Sequence, residues 1–127
     1  MSVVAAGLAS CVTFTTRVEF SLASWGGHTT LDVYVIKPGI TINPHASNSD
    51  SYSFGFPSGL AHVPASRIGG YFVNYKPQPP RFGASGGIDL KIDGAGCEIK
   101  VDLSDPDGHA LPLNGTHRAT RCGVNQV

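Results

Sequence analysis

An acidic turn in the last quarter of the chain carries the side chains best suited to hold a metal ion. Asp102, Asp105 and Asp107 bring three carboxylates close together, and hard oxygen ligands of this kind suit calcium. The run departs from an EF-hand loop, because no acidic residue closes it and Pro106 stiffens its middle. An ordinary turn, in which aspartate caps its own backbone and Gly108 takes a positive φ, explains the same residues. Calcium at the three aspartates is therefore one interpretation beside a purely structural turn.

Aromatic side chains are concentrated in the middle of the chain. Seven of the eleven aromatic residues lie between positions 52 and 82. Tyrosine presents a ring and a hydroxyl together, which suits uncharged or zwitterionic ligands such as sugars and lipid headgroups. The alternative is the core of a β-protein, which uses aromatic residues heavily. We expect Trp25, Tyr75 and Phe82 to be the most exposed. The full set of ligand-binding candidates is Trp25, Tyr52, Tyr71, Tyr75, Arg81 and Phe82.

The sequence lacks the residue patterns typical of catalysis. It has no Gly-x-Ser-x-Gly elbow, and the nearest approach, Gly83 to Gly87, is too flexible to hold a nucleophile in a strained turn. The five histidines stand at no spacing that places two imidazoles on one metal. Glutamate occurs only at Glu19 and Glu98, so a glycosidase pair would have to use aspartates. We therefore predict that the protein is not an enzyme and, calcium apart, needs no cofactor.

Charge and hydropathy argue against two classes of partner. Nine Lys and Arg residues balance nine Asp and Glu residues, without a basic run, whereas a nucleic-acid binder carries excess cations. No segment approaches the roughly 20 apolar residues of a membrane-spanning helix. The apolar start, Met1 to Cys11, lacks the basic region of a signal peptide. We predict no nucleic acid, no transmembrane span, and a chain that is cytoplasmic or released without a recognisable signal peptide.

The three cysteines leave the redox state open. Cys11, Cys97 and Cys122 are an odd number, which is not a disulfide framework. One bridge with one free thiol, in any of three pairings, is one interpretation. Three buried thiols in a reducing compartment are the other, because cysteine packs as a small hydrophobe.

Alternation of apolar and polar residues with a period of two predicts a succession of β-strands. The longest alternation lies between Leu8 and Trp25, and the clearest hairpin runs from Ile88 to Leu103 around a turn at 93–96. No helix of normal length is indicated, and all nine prolines fall in the predicted connections. The pattern predicts one all-β domain over residues 1–127, an antiparallel β-sandwich of about seven or eight strands. The other predicted strands are 31–36, 51–56, 71–75 and 116–122, with a short piece at 41–42 and an extended loop or edge at 76–80.

Short motifs between residues 12 and 75 resemble the aegerolysins, a family of small β-sandwich proteins. Ser24-Trp25-Gly26 is similar to their early aromatic–glycine turn, and Ile36-Lys37-Pro38-Gly39 followed by Asn48-Ser49-Asp50-Ser51 is similar to their connection and polar loop. Gly69-Gly70 before Tyr71 looks like the entry to their central strand. The chain departs from the mushroom members in having one tryptophan, at Trp25. The resemblance implies a β-sandwich without a signal peptide that binds membrane lipids.

Three functions follow as hypotheses. The first is a non-catalytic protein that recognises a lipid headgroup or membrane surface, marked by an apolar aromatic patch at one end of the sandwich. The second is a carbohydrate-binding lectin of the same architecture, marked by a shallow polar cleft with one or two stacking rings and dependent on calcium if the aspartate turn binds it. The third is a structural β-domain that forms a homo-oligomer through a large flat apolar face.

Overall fold

Two antiparallel sheets form a β-sandwich in the computed structural model, which describes residues 11–13, 15–41, 49–93 and 96–119. The larger sheet has five strands in the order β2-β3-β5-β7-β8, and the smaller has four in the order β11-β10-β9-β6. A separate pair joins β1 to β4. The predicted fold class is confirmed. The strands are β1 (Cys11–Thr13), β2 (Arg17–Trp25), β3 (His28–Ile36), β4 (Gly39–Thr41), β5 (Ser49–Pro57), β6 (His62–Pro64), β7 (Gly70–Val73), β8 (Lys76–Gln78), β9 (Gly87–Asp93), β10 (Gly96–Asp102) and β11 (Gly115–Ala119).

Alternation along the strands builds the core between the sheets. In β5 the alternate residues Tyr52, Phe54 and Phe56 are buried, whereas Ser53 and Gly55 between them lie on the opposite face. The smaller sheet supplies its own buried alternate residues to the same core cluster. Seven strand residues of this core cluster are at most 1 % exposed: Leu31, Val33, Phe54, Val63, Ile88, Ile99 and Val101.

The predicted hairpin from Ile88 to Leu103 is confirmed. Ile88 pairs with Val101 and Leu90 with Ile99, so apolar residues meet apolar residues on one face along β9 and β10. Such directly opposed side chains are the unit that stabilises an antiparallel pair. The register follows from the alternation, because a slip of one residue would turn every apolar side chain to solvent.

The first predicted strand is divided in the structure. β1 ends at Thr13 and β2 begins at Arg17, because β1 pairs with β4 while β2 pairs with β3. The predicted residues 8–10, Phe14, Ile42 and 120–122 lie outside the described residues. The described part of the chain holds eleven strands rather than seven or eight, since pieces as short as three residues pair at the edges.

The prediction of a strand from Tyr71 to Tyr75 is wrong at its end. β7 stops at Val73, and Asn74 and Tyr75 take φ values of 49° and 67°. Two consecutive positive φ angles make a type I′ turn, the turn that closes two-residue hairpins. The chain then returns as β8, which contains Pro77 and forms the edge that was predicted for this segment.

Two connections are more ordered than the sequence indicates. The stretch before Gly69 contains β6 and a short 3₁₀ turn (Ala65–Arg67), although the sequence predicted no strand between 56 and 71. The glycines predicted to be flexible pack tightly, since a Cβ at Gly86 would collide with the carbonyl of Asp102, and one at Gly87 with that of Val63. Glycine is needed there because two backbones approach too closely for any side chain.

Cys97 is buried on β10 and takes part in a disulfide bond. The interpretation that all three cysteines are free thiols, which the sequence left open, is therefore wrong. The other cysteines of the chain are Cys11 and Cys122. Among the described residues, no helix is long and apolar enough to cross a membrane.

Candidate functional site

The face of the larger sheet that points away from the smaller sheet is here called the outer face. Because side chains alternate, the residues between the core positions of β2, β3, β5 and β7 share this face. The strand pairings place them in rows across the sheet. The rows are Glu19–Tyr34–Ser51, Ser21–Asp32–Ser53–Phe72, Ala23–Thr30–Gly55–Gly70 and Trp25–His28–Pro57.

A polar row that ends in an aromatic ring crosses the middle of the outer face. The Ser53 hydroxyl donates a hydrogen bond of 2.6 Å to Oδ1 of Asp32. Within the described residues Ser53 is the hydrogen-bond partner of Asp32, so the second carboxylate oxygen can accept from a ligand hydroxyl. At the end of the row Phe72 is 40 % exposed, although it lies on a strand in the body of the sheet. The row therefore offers a carboxylate acceptor, hydroxyls and a ring face within four adjacent strands.

A row of small residues forms a shallow trough beside the polar row. Gly55 and Gly70 are paired across β5 and β7. A Cβ built on Gly55 would meet nothing nearer than the backbone of Gly70 at 3.8 Å, so the space above both glycines is open. With Ala23 and Thr30 the row spans four strands, which is about 14 Å at the usual strand spacing. The trough is wide and shallow, with Phe72 on one side.

Two tyrosines stand at the β7–β8 end of the outer face. The side chains of Tyr34 and Tyr75 are hydrogen-bonded to each other, and Tyr75 is 64 % exposed. Burial, then the Asp32 carboxylate, then Tyr75 raise the pKa of Tyr34 to about 12. The Tyr34 hydroxyl therefore keeps its proton and remains a hydrogen-bond donor at neutral pH.

The turn that presents Tyr75 is fastened to β5 by Asn74. The Asn74 N–H donates to the Ser51 carbonyl at 2.8 Å, and the Asn74 Oδ1 accepts from the Ser51 N–H at 2.9 Å. The Asn74 amide also donates to Oδ1 of Asp50 at 3.3 Å. A non-glycine residue rarely adopts the left-handed conformation of Tyr75. The Asn74 contacts hold that conformation and fix the position of the ring.

Trp25 occupies the opposite end of the outer face. It is 76 % exposed at the tip of the β2–β3 hairpin, where it pairs with His28 before the glycine turn. The rows of Trp25 and Tyr34 are six residues apart along β3, which corresponds to about 20 Å. Trp25 and Tyr75 thus share a face but belong to different ends of it, so they do not form one aromatic patch.

Three predicted ligand contacts lie on the core side instead. Tyr52 is buried on β5, and the ring of Tyr71 stacks on Phe54 with centroids 5.3 Å apart. Phe82 packs against Tyr71 at 5.0 Å and is half-buried, not exposed as predicted. These rings therefore belong to the core, which was the alternative interpretation. Arg81 is exposed in the loop after β8.

The predicted aspartate turn is a loop in which the Asp105 carboxylate accepts hydrogen bonds from backbone N–H groups of the same loop. Oδ1 of Asp105 accepts from the N–H groups of Asp107 and His109, each at 2.9 Å. The bond from the His109 N–H is the main reason that the pKa of Asp105 is lowered. Ligand atoms of Asp105, Asp107 and His109 lie within 4.8 Å of one another, and Asp102 has no part in that group. The geometry matches the structural turn, in which aspartate caps nearby backbone groups; calcium binding stays a prediction.

The sequence reasoning missed Asp32, Tyr34, Ser53 and Phe72. Phe72 carried a usable signal, because the run Tyr71-Phe72-Val73 breaks the alternation and must place one large ring on the polar face. Asp32 and Ser53 carried a weaker signal, because serine and aspartate between apolar strand positions occur in any sheet that has one face in solvent.

Comparisons with known proteins provide no further assignment. No model of a known protein family, no curated protein and no solved structure matches this chain. The resemblance to the aegerolysins therefore stays a prediction.

Proposed function

We propose that the protein is a non-catalytic binding domain that recognises a neutral carbohydrate on the outer face of its larger sheet. The observation that carries the proposal is the open Gly55–Gly70 trough lying directly beside Phe72 and the Asp32–Ser53 pair. A sugar ring has an apolar face and a rim of hydroxyls. The first packs on an aromatic ring, and the second needs fixed donors and acceptors.

The chemistry of the face suits an uncharged ligand. Asp32 is an acceptor, and the exposed Ser21 hydroxyl beside it in the same row can donate or accept, so together they fit groups that both give and receive hydrogen bonds. The second carboxylate on the face, Glu19, is paired with Arg17 at 3.2 Å. This pairing and the open, flat surface favour binding over glycoside cleavage, because cleavage needs two carboxyl groups placed on either side of the bond.

The same arrangement favours the lectin hypothesis over the lipid hypothesis. A membrane-binding surface gathers its exposed rings at one end so that they enter the interface together. Here the rings of Trp25, Phe72 and Tyr75 are spread along a polar face. A sugar chain that lies along the sheet could contact more than one of them.

The test is affinity electrophoresis in gels that contain a neutral polysaccharide: laminarin, xyloglucan, galactomannan or glucomannan. We expect retardation by at least one of them. Gly55→Thr should abolish it, because the new side chain fills the trough. The fold should remain intact, since the neighbouring atoms are at ordinary contact distance and glycine within a strand costs about 0.5–1 kcal/mol relative to alanine. Phe72→Ala should weaken binding by at least about fivefold.

Gly69→Thr is the matched control, since Gly69 is the neighbouring glycine, has open space around it, and precedes β7 outside the trough. It should bind like the unmodified protein. Runs with calcium and with a chelator test whether the Asp105 turn contributes. No retardation in any gel, or equal retardation of the Gly55 and Gly69 variants, would overturn the proposal. Co-sedimentation with lipid vesicles that is lost on Trp25→Ala but kept by Gly55→Thr would favour the lipid hypothesis.

A further inference from the structure

A second concave site lies between the sheets, at the end of the sandwich near the β2–β3 turn. The cavity has a volume of about 340 Å³ and is separate from the outer face, because its strand residues come from core-facing positions. That volume falls at the lower end of the range for small-molecule sites in proteins. Its lining is Leu22, Ser24, Thr29, Gly59, Leu60, Ala61, Leu90 and Ile92, none of which is charged.

A chain of three hydroxyls begins at the cavity wall, where Ser24 and Thr29 lie, and ends at Ser58 in the turn after β5. Oγ1 of Thr29 lies 2.7 Å from the hydroxyl of Ser24 and 2.7 Å from that of Ser58. Three hydroxyl groups carry three protons, and two hydrogen bonds use only two of them. One proton therefore remains unused, on Ser24, on Ser58 or, where Thr29 accepts both bonds, on Thr29. Ser24 is the end that lines the cavity, so it can direct either this proton or a lone pair toward a ligand atom.

The rest of the wall is aliphatic and reaches the surface. Ile92 continues the core-facing alternation of β9 but is 56 % exposed, because the sandwich is open at this end. Leu60 and Leu90 are half-buried against the core beneath it. The N–H of Leu90 donates to the carbonyl of Ala61 at 2.8 Å, which fixes the loop that closes one side. The wall thus combines a rigid hydrocarbon surface with the linked hydroxyls of Ser24 and Thr29.

We propose that this cavity binds a small neutral amphiphile, an aliphatic chain that carries a hydroxyl or carbonyl oxygen. The aliphatic wall takes the hydrocarbon part, and Ser24 takes the oxygen. A charged headgroup is disfavoured because no lining side chain can neutralise it. A peptide segment is disfavoured because a cavity of this size admits few atoms. The inference is independent of the carbohydrate proposal, since the two sites have no residue in common.

The experiment titrates linear alcohols from 1-butanol to 1-octanol into protein with ¹³C-labelled Ile and Leu methyl groups. We expect saturable NMR shifts at Leu60, Leu90 and Ile92, with Kd falling about fourfold per added methylene. Ala61→Phe should abolish these shifts by filling the cavity, and it should fold because Ala61 is exposed. Ala84→Phe, at an exposed alanine of the 79–86 loop, is the matched control and should leave them unchanged.

Ser24→Ala separates the polar part from the apolar part. It should weaken 1-hexanol by about three- to tenfold and leave 1-chlorohexane unchanged. The same spectra with phosphatidylcholine vesicles distinguish a chain that belongs to a membrane from a free molecule, since only the former shifts the methyl signals of these three residues without added alcohol. Shifts that do not saturate, or that persist in Ala61→Phe, would overturn the proposal, as would equal loss of both probes in Ser24→Ala.

Discussion

Because the backbone of Tyr75 is left-handed, we predict that a glycine at this position leaves the protein more stable than an alanine does. Both Tyr75→Gly and Tyr75→Ala remove the ring and its hydrogen bond to Tyr34, so they differ only in the backbone. Alanine at φ 67° destabilises the folded state by about 1–2 kcal/mol, because the left-handed conformation is unfavourable for a residue with a Cβ. Glycine has no such penalty, but it makes the unfolded chain more flexible, which lowers the stability of the folded state by about 0.4–1 kcal/mol. We expect the glycine variant to be more stable by about 1 kcal/mol, roughly 3–6 °C in Tm.

Urea unfolding followed by circular dichroism measures this difference. Tyr75→Ala should be the least stable of the three proteins, and Tyr75→Gly should come close to the unmodified one. Thr116, which is exposed within β11, gives the matched control: there Thr116→Gly should be less stable than Thr116→Ala, because glycine weakens a strand. The reasoning fails if Tyr75→Ala is as stable as Tyr75→Gly, since the turn would then carry no left-handed penalty.

Three further predictions concern the core, the titration of a tyrosine and the cysteines. Phe54→Ala should lower the free energy of unfolding by about 3–5 kcal/mol, because Phe54 is fully buried at the centre of the larger sheet; a smaller loss in urea unfolding would contradict that position. The raised pKa of Tyr34 means that the folded state holds this proton more tightly, so its contribution to stability is complete below pH 10 and is lost as the pH rises toward 12. Tyr34→Phe should flatten this part of the profile, and an unchanged slope would argue against the shift. With Cys97 in a disulfide, thiol titration of the denatured protein should find one free thiol before reduction and three after it; three at the start would exclude the bond.

The architecture was predictable because the strands bury one face. The alternation around Ile88 and Ile99 predicted the β9–β10 hairpin and its register, and the Tyr52–Phe54–Phe56 spacing predicted the buried face of β5. Both follow from a period that no other regular structure shares. β6 was not predicted, because its three residues, the last of which is Pro64, are too few to show an alternation. The turn at Asn74 escaped because type I′ turns usually carry glycine at the second position, where this chain has Tyr75.

The candidate site was less predictable than the fold. Alternation shows which residues share a face of one strand, but it does not show which strands are neighbours. Asp32 and Ser53 are 21 positions apart, and only the pairing of β3 with β5 brings them together. Likewise, an aromatic count cannot separate Tyr71 in the core from Phe72 on the surface, because that choice depends on where the smaller sheet packs.

The two edges of the larger sheet differ in their ability to accept another strand. In the β7–β8 hairpin the two-residue turn makes Val73–Lys76 a hydrogen-bonded pair, so Phe72–Pro77 is the alternate, non-bonded pair. The backbone nitrogen of residue 77 therefore points away from the sheet, and because it belongs to proline it carries no proton. β8 thus offers no outward N–H at its centre, whereas the other edge, β2, runs for nine residues. Edge-to-edge growth into aggregates is blocked on one side by a single ring, and a mutation such as Pro77→Thr would open that side to self-association.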